Sequence, residues 1–413
     1  QAGSGPWRVA HGGGARAART RNTLVVVEVA LSIVLLVGAS LAIRGFVELQ
    51  SVDRGFRTDR TLMLRLPLDQ KRYPTLEQRD RFAAGLLERV RNLPGVATAA
   101  IGTLPGIEAN SGGTIPGQPK IESGLSINLI DANYLEILRI PLRAGRNLTA
   151  QEIARGDRVA LISEAAAKYW PAGENPIGRT IQIDALIGGN AGNLAPAGAT
   201  KDLTIVGIVG DTRGRDPKRQ PPPTIFAPYT LRGPAQRSFM VKTHGEPTAL
   251  LNVIRAEVRA MDSEQPLSRP ITADEIIGQQ TVQPRFNAAL FTGLAVIALA
   301  LAAAGIYSVL SFGVTQRTRE IGVRMALGAA RGDILRLILT SGGRLLGIGL
   351  VVGIGASVAL AKILKSQVFT VPLLDPLALA AAALVLSAVA LLAGYIPARR
   401  ATKVDPMVAL RCE

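Results

Sequence analysis

A charged segment between two apolar runs carries the side chains whose types and spacing best suit a binding role. This basic segment (residues 315–336) is too charged to lie in lipid, so it must form a loop or a surface helix at a membrane face. Glu320 and Arg324 are four residues apart, as are Ile321 and Met325. On a helix, the first pair would form a charged ridge beside an apolar ridge formed by the second. The spacing predicts a docking surface, with the alternative that the helix lies flat on anionic headgroups.

The balance of charge in the basic segment predicts the side of the membrane on which it lies. Its acids are Glu320 and Asp333. Its cations are Arg317, Arg319, Arg324, Arg331 and Arg336. Because short loops rich in Lys and Arg remain in the cytoplasm, we expect the basic segment there.

Side chains that could support covalent or metal chemistry are scarce. The 413 residues include two histidines, His11 and His244, and one cysteine, Cys412. No nucleophile-elbow or metal-ligand spacing accompanies them. A membrane-anchored enzyme is therefore a weak alternative, and we expect no catalytic residue, no cofactor and no metal.

Composition indicates a membrane protein. The residues are 48% hydrophobic but only 4% aromatic, and long apolar runs lie near both ends. The net charge of +16 would suggest nucleic acid in a soluble protein. Basic residues beside membrane spans account for such an excess without that partner, so we expect no nucleic-acid binding.

Four apolar runs are long enough to predict transmembrane helices, at residues 23–43, 287–314, 337–364 and 376–397. The basic residues 1–22, 315–336 and 398–413 would be cytoplasmic, and 365–375 would form a short outer loop. A cleaved signal peptide is the alternative for the first run, although the run is long for one. The chain starts at Gln1, which suggests a fragment or one half of a longer polypeptide.

Residues 44–285 have the composition of a mixed soluble domain, which must lie outside the cytoplasm. A strand at 61–68, a helix at 75–92 and a strand at 95–102 form a β-α-β unit. Short strands are predicted at 138–146, 159–163, 177–183 and 203–210, with a brief helix at 164–170. The last elements predicted in this domain are a strand at 239–243 and a helix at 247–261. Residues 188–200 and 216–223 are predicted to form exposed loops.

The predicted fold class is therefore an α-helical membrane protein with four transmembrane helices plus a large extracytoplasmic α+β domain inserted between helices 1 and 2. The simplest arrangement of that domain is a split α+β fold with a β-rich insertion. Glu28, within the first run, is expected to face the helix bundle or to reach the headgroups.

Small residues in the third run predict a close helix contact. Gly343 and Gly347 form one small-xxx-small pair, and Gly349 and Gly353 form another. Packing within the monomer is favoured over a dimer seam. Arg344 indicates that the first part of this run lies at the interface and that the span begins near Gly342.

Several motifs together resemble one family. They include TREIGVRMALGA at 318–329, PARRATKVDPMVALR at 397–411, YLEILRIPLRAGR at 134–146 and IVGIVGD at 205–211. With the arrangement of spans, they resemble the FtsX-like permeases of ABC transporters, of the macrolide-exporter and lipoprotein-release type. The opening RTRNTLVVVE at 19–28 is similar to the second repeat of the duplicated permeases abundant in acidobacteria.

The resemblance implies a mechanical role in the bacterial inner membrane. Such permeases pair with a separate ABC ATPase, whose closure is passed to the outer domain to export or extract a hydrophobic compound, peptide or lipoprotein. No phosphate-binding GxxxxGK[ST] loop is present, so the partner would bind ATP. By analogy, the residues that contact the ATPase would be Arg317, Glu320, Ile321, Gly322, Arg324, Met325 and Gly328.

Two further expectations follow from the resemblance. The chain would act as a homodimer or as a pseudo-dimer with a second permease half, and a periplasmic adaptor would be a further partner. The alternative is a non-transporting regulator that uses the same ATPase to control an extracytoplasmic partner such as a cell-wall hydrolase.

Overall fold

The computed structural model describes residues 12–69, 71–171, 173–187, 193–214, 219–268, 270–327, 330–364 and 376–401. The expectations for residues 1–11, 365–375 and 402–413 lie outside this range, as do residues 188–192 and 216–218 of the two predicted loops. The chain divides into two compact units. We call residues 1–50 and 283–413 the helical unit, and residues 51–282 the core domain.

The helices of the described residues are α1 (Gly12–Ser51), α2 (Leu76–Arg91), α3 (Tyr134–Leu138), α4 (Ala150–Arg155), α5 (Glu164–Ala167), α6 (Leu251–Met261), α7 (Ala273–Gln316), α8 (Thr318–Ala326), α9 (Arg331–Leu364) and α10 (Pro376–Ala401). The strands are β1 (Thr61–Pro67), β2 (Val96–Ile101), β3 (Ala109–Thr114), β4 (Ile121–Ile130), β5 (Leu142–Gly145), β6 (Val159–Ser163), β7 (Thr180–Ile183), β8 (Asn193–Leu194), β9 (Asp202–Val209), β10 (Thr224–Pro228), β11 (Gly233–Pro234), β12 (Gln236–Thr243) and β13 (Ile271–Thr272).

Among the described residues of the helical unit, four helices are long and apolar enough to cross a membrane. The candidate spans are Arg19–Ser51, Thr281–Gln316, Gly332–Leu360 and Pro376–Arg400. Four such helices were predicted, but α1 and α7 extend well beyond the predicted apolar runs. The extra turns contain Arg, Glu and Gln, which are good helix formers and let a helix continue where hydrophobicity ends.

One face of α1 forms the centre of the helical unit. Buried apolar side chains recur every fourth residue at Val25, Val29, Ile33, Val37 and Leu41. They belong to one apolar cluster with residues of α7, α9 and α10, such as Ile306, Ile338 and Leu386. In α1, 44% of the most apolar stretch is buried. The corresponding share is only 22% in α7, 22% in α9 and 28% in α10. The other three helices therefore keep more apolar surface free for lipid.

The first sheet of the core domain has the strand order β13-β1-β12-β2. Strand β12 is antiparallel to both β1 and β2, and so it lies between the two strands that α2 joins in sequence. The predicted split β-α-β arrangement is confirmed. Helix α2 begins at a capping box formed by Thr75 and Gln78, and it buries Phe82, Leu86 and Val90.

The second sheet contains seven strands in the order β5-β9-β6-β10-β4-β3-β7, and β7 also pairs with β9. That last pairing closes six of the strands into a ring, which removes the free edges that promote aggregation. Apolar side chains of one cluster, including Ile162, Ile183, Ile205 and Ile225, are fully buried there. This ring is the β-rich insertion that the sequence predicts.

Three local predictions in the core domain had the right element but the wrong bounds. The strand expected at 138–146 is the shorter β5, because helix α3 extends to Leu138 and Arg139 ends that helix in a left-handed conformation. The strand expected from residue 177 starts at Thr180, after Pro176 and the positive-φ Gly178. Helix α5 ends at Ala167 rather than at residue 170.

Candidate functional site

The basic segment contains a separate short helix, α8, between the ends of α7 and α9. Helix α7 ends at Gln316, and Arg317 has a non-helical backbone conformation (φ −108°, ψ 15°) that separates it from α8. Of the two forms expected for this segment, a loop or a surface helix, the structure has the helix. Arg317 is exposed and Gly322 lies within α8, whereas Gly328 lies outside the described residues.

The two faces of α8 have different environments. Ile321 is buried in the same apolar cluster as Leu310 of α7 and Ile338 of α9, and Met325 packs against that cluster. On the other side, Val323 is 41% exposed and Leu327, directly after the helix, is 83% exposed. Ile321 therefore anchors α8 to the helical unit, while Val323 and Leu327 provide free apolar surface.

The predicted charged ridge is present. Arg324 and Glu320 form an ion pair of 2.7 Å with both side chains about half exposed. Such an exposed i,i+4 pair stabilises a helix by about 0.3–0.5 kcal/mol. Because that contribution is small, both groups remain available to exchange partners at a binding surface.

The four glycines singled out in the sequence have two different environments. A Cβ atom placed on Gly353 would lie 2.9 Å from the carbonyl oxygen of Ala30, and one on Gly349 would overlap Val29. These two glycines allow α9 to lie close to α1. A Cβ on Gly343 or Gly347 would meet no atom of the described residues within 4 Å. Packing at this second pair stays a prediction.

Sequence reasoning missed the glycine that brings α7 close to α1. A Cβ on Gly305 would overlap the carboxylate of Glu28, so the expectation that Glu28 faces the bundle is confirmed. One turn along α1, the Ser32 hydroxyl donates hydrogen bonds to the carbonyls of Glu28 (2.7 Å) and Ala298 (3.0 Å). Gly305 follows three alanines and has no glycine four residues away. The sequence around it therefore gave little indication of a close helix contact.

In the described part of the chain, no group of three or more His, Cys, Asp or Glu side chains could hold a metal ion. The arrangement at α8 instead suits reversible contact with a protein. It combines an anchored helix, a weak ion pair and exposed apolar side chains.

Comparison with protein families identifies both parts of the chain. Residues 24–263 match the model of the MacB-like periplasmic core domain. Residues 292–406 match the model of the FtsX-like permease C-terminal region. Neither model describes an ATPase.

Curated relatives agree with these matches over about 70% of the chain. The macrolide export ATP-binding/permease protein MacB of Mannheimia succiniciproducens is 27% identical over 310 residues, which are 71% of this chain and 44% of the relative. The probable syringafactin export ATP-binding/permease protein SyfD of Pseudomonas syringae is 27% identical over 303 residues, which are 70% of this chain and 42% of the relative. The chain thus spans less than half the length of these relatives.

Among solved structures, the periplasmic region of MacB from Actinobacillus actinomycetemcomitans is similar over 57% of this chain and 98% of its own length, with a TM-score of 0.37 and 15% identity. The core-domain model alone covers more than half of the 413 residues, and the permease model covers most of the second candidate span and all of the last two. The chain is therefore a multi-pass membrane protein that belongs to the FtsX-like permeases with a MacB-like periplasmic core domain.

Proposed function

We propose that this chain is the permease subunit of an ABC exporter of the mechanotransmission type. A separate ATPase would bind the basic segment, and its ATP-driven motion would reach the core domain for the export or extraction of a hydrophobic compound, peptide or lipoprotein. The names of the relatives, which refer to macrolide and syringafactin export, support an export function.

The main support for this proposal is that one face of α8 is buried and the other is exposed. Ile321 fixes the helix to the apolar cluster of the helical unit, so a force applied to α8 would move α7 and α9 with it. Val323 and Leu327 leave apolar surface exposed beside the Glu320–Arg324 pair. Exposed apolar side chains rimmed by charge are typical of a helix that binds in a protein groove.

The remaining parts of the assembly follow from this role. The protein would lie in the bacterial inner membrane, with the basic segment in the cytoplasm and the core domain outside. It would act as a homodimer or as a pseudo-dimer with a second permease half, together with a periplasmic adaptor. ATP would be bound by the partner ATPase, and this chain would need no cofactor of its own.

The test replaces the most exposed apolar side chain at α8 with a charge. In a protein groove, the carboxylate of Leu327→Asp would be desolvated without a partner, which costs several kcal/mol. We expect at least a tenfold loss of permease-stimulated ATP hydrolysis and loss of co-purification with the ABC ATPase. Met325→Asp is a poorer probe, because Met325 packs against its own helical unit.

Val253→Asp is the matched control. Val253 is 43% exposed on α6 of the core domain, so the same change there should leave complex formation and stimulated hydrolysis unchanged. Retention of both properties by Leu327→Asp would show that α8 does not contact the ATPase through this surface.

A further inference from the structure

A cleft of about 370 Å³ opens within the helical unit, lined by residues of α1, α7, α8 and α9. Three arginines that are distant in sequence line it: Arg21, Arg317 and Arg344. Asn22, Gln316 and Ser341 add polar groups, and none of the described lining residues is acidic. The cleft therefore concentrates positive charge without a carboxylate to balance it.

The environments of two of these arginines favour binding of an anion. The Arg21 guanidinium lies over the Phe312 ring, 3.9 Å from its centroid. Its Nε is buried and has no hydrogen-bond partner among the described residues. Arg344 is exposed on α9, near the predicted start of the span, where its guanidinium can reach the level of the headgroups. An anion with several oxygens would pair with both, since guanidinium groups match phosphate geometry.

The rest of the lining is apolar and comes from the same membrane helices. Val309, Leu310, Ile338 and Leu345 line the cleft beside the arginines. A free phosphate ion would use only the charged part of this surface. A phospholipid would place its phosphate on the arginines and its acyl chains along the apolar residues, because basic pockets between membrane helices suit lipid headgroups.

We propose that this cleft is a binding site for the headgroup of an anionic phospholipid. The lipid phosphate bridges Arg21 of α1, Arg317 at the start of α8 and Arg344 of α9. It thereby couples the position of α8 to the helices that surround the cleft. Arg317 is also among the residues expected to contact the ATPase, so Arg344, which is not, distinguishes the lipid site from that contact.

The test measures lipid binding by the purified full chain in a neutral detergent. Phosphatidylglycerol should raise the thermal unfolding midpoint, and phosphatidylcholine should not. Neutralising one arginine near an anionic surface removes about 1 kcal/mol, so Arg344→Gln should weaken the apparent affinity for phosphatidylglycerol about fivefold. Arg317→Gln, at an exposed side chain, should give a similar loss independently of Arg344.

Arg336→Gln is the matched control, because Arg336 is an exposed arginine of α9 that does not line the cleft. Its affinity for phosphatidylglycerol should stay within twofold of the parent. The proposal is overturned if Arg344→Gln and Arg317→Gln both bind phosphatidylglycerol as tightly as Arg336→Gln does. An equal rise of the midpoint with sodium phosphate alone would assign the cleft to free phosphate and overturn the lipid assignment.

Discussion

The core domain and the helical unit stabilise their interiors with different interactions. The core domain buries a charged side chain beside a counter-charge: Arg237 is 1% exposed and bonds Asp80 and the Tyr229 carbonyl. In the helical unit, by contrast, large apolar side chains remain exposed, as at Val351 (74%) and Leu392 (70%). The core domain thus has the surface of a water-soluble domain, whereas the helical unit presents the apolar surface that lipid requires.

The two regions also differ in how closely their elements approach one another. The helical unit brings α9 and α7 against α1 through Gly349, Gly353 and Gly305. The core domain instead fills its centre with large side chains such as Phe82, Phe226 and Tyr134. Loss of a charge should therefore be most damaging in the core domain, and gain of volume should be most damaging in the helical unit.

The largest expected effect is loss of the buried ion pair in the core domain. Asp80→Ala removes the partner of Arg237 and leaves a buried guanidinium without a counter-charge. Breaking such a pair costs about 3–5 kcal/mol. We expect this decrease in the free energy of unfolding of the core domain, measured in the full chain by the fluorescence of buried Trp170 in a Trp7→Phe background.

Two variants sharpen this prediction. Glu77→Ala breaks an ion pair with Arg81 in which both side chains are more than three-quarters exposed, so it should cost less than about 1 kcal/mol. The double substitution Asp80→Leu and Arg237→Met should recover much of the stability, since apolar residues can replace a buried pair. A loss of under 1 kcal/mol for Asp80→Ala would mean that the Arg237 charge is satisfied without Asp80.

An intermediate effect is expected from volume added between α1 and α9. Gly353→Leu would force a side chain against Ala30 and Ile33, and such overpacking costs about 1–3 kcal/mol. Gly347→Leu adds the same side chain where a Cβ meets no atom of the described residues within 4 Å. Thermal unfolding of the two variants in detergent should show a clear destabilisation only for Gly353→Leu. Equal damage by Gly347→Leu would mean that this glycine contacts another chain.

Local patterns explain which parts of the fold were predictable. Strand β6 coincides with the predicted residues 159–163, because it is a short continuous apolar run. Strand β3 was missed, since its sequence ANSGGT contains no apolar alternation. Its Gly113 is needed for space, because a Cβ there would lie 2.7 Å from the Gln182 carbonyl oxygen of the neighbouring strand. The need for glycine at this position depends on strand β7 and cannot be recognised from the sequence of β3 alone.

In the candidate sites too, features set by neighbouring residues could be predicted and features set by distant residues could not. The Glu320–Arg324 ridge could be predicted because both members lie on one helix turn. The inward position of Ile321 depends on α7 and α9 and could not be read from spacing. The arginine cleft combines Arg21, Arg317 and Arg344, which are up to 323 positions apart, so no local pattern could bring them together.

The smallest expected effect is a pH dependence of the core domain that arises at Glu152. The Arg146 guanidinium donates hydrogen bonds of 2.6 and 2.9 Å to the Glu152 carboxylate. Together with Thr149, it lowers the pKa of Glu152 from 4.5 to about 2. A carboxylate whose pKa is depressed on folding stabilises the folded state above its unfolded pKa, and this stabilisation is lost as the pH falls from about 4.5 to about 2.

Lowering the pH from 6 to 3 should therefore reduce the free energy of unfolding through this group by about 1 kcal/mol, because the half-exposed Arg146 is screened by solvent. Glu152→Gln should be less stable than the parent at pH 6 and should lose less stability at pH 3, as followed by Trp170 fluorescence. Glu77→Gln removes one exposed carboxylate and controls for the change in net charge. If the parent and Glu152→Gln lose the same stability between pH 6 and 3, the Arg146–Glu152 pair contributes nothing to folding, and the core domain depends on its more deeply buried pairs alone.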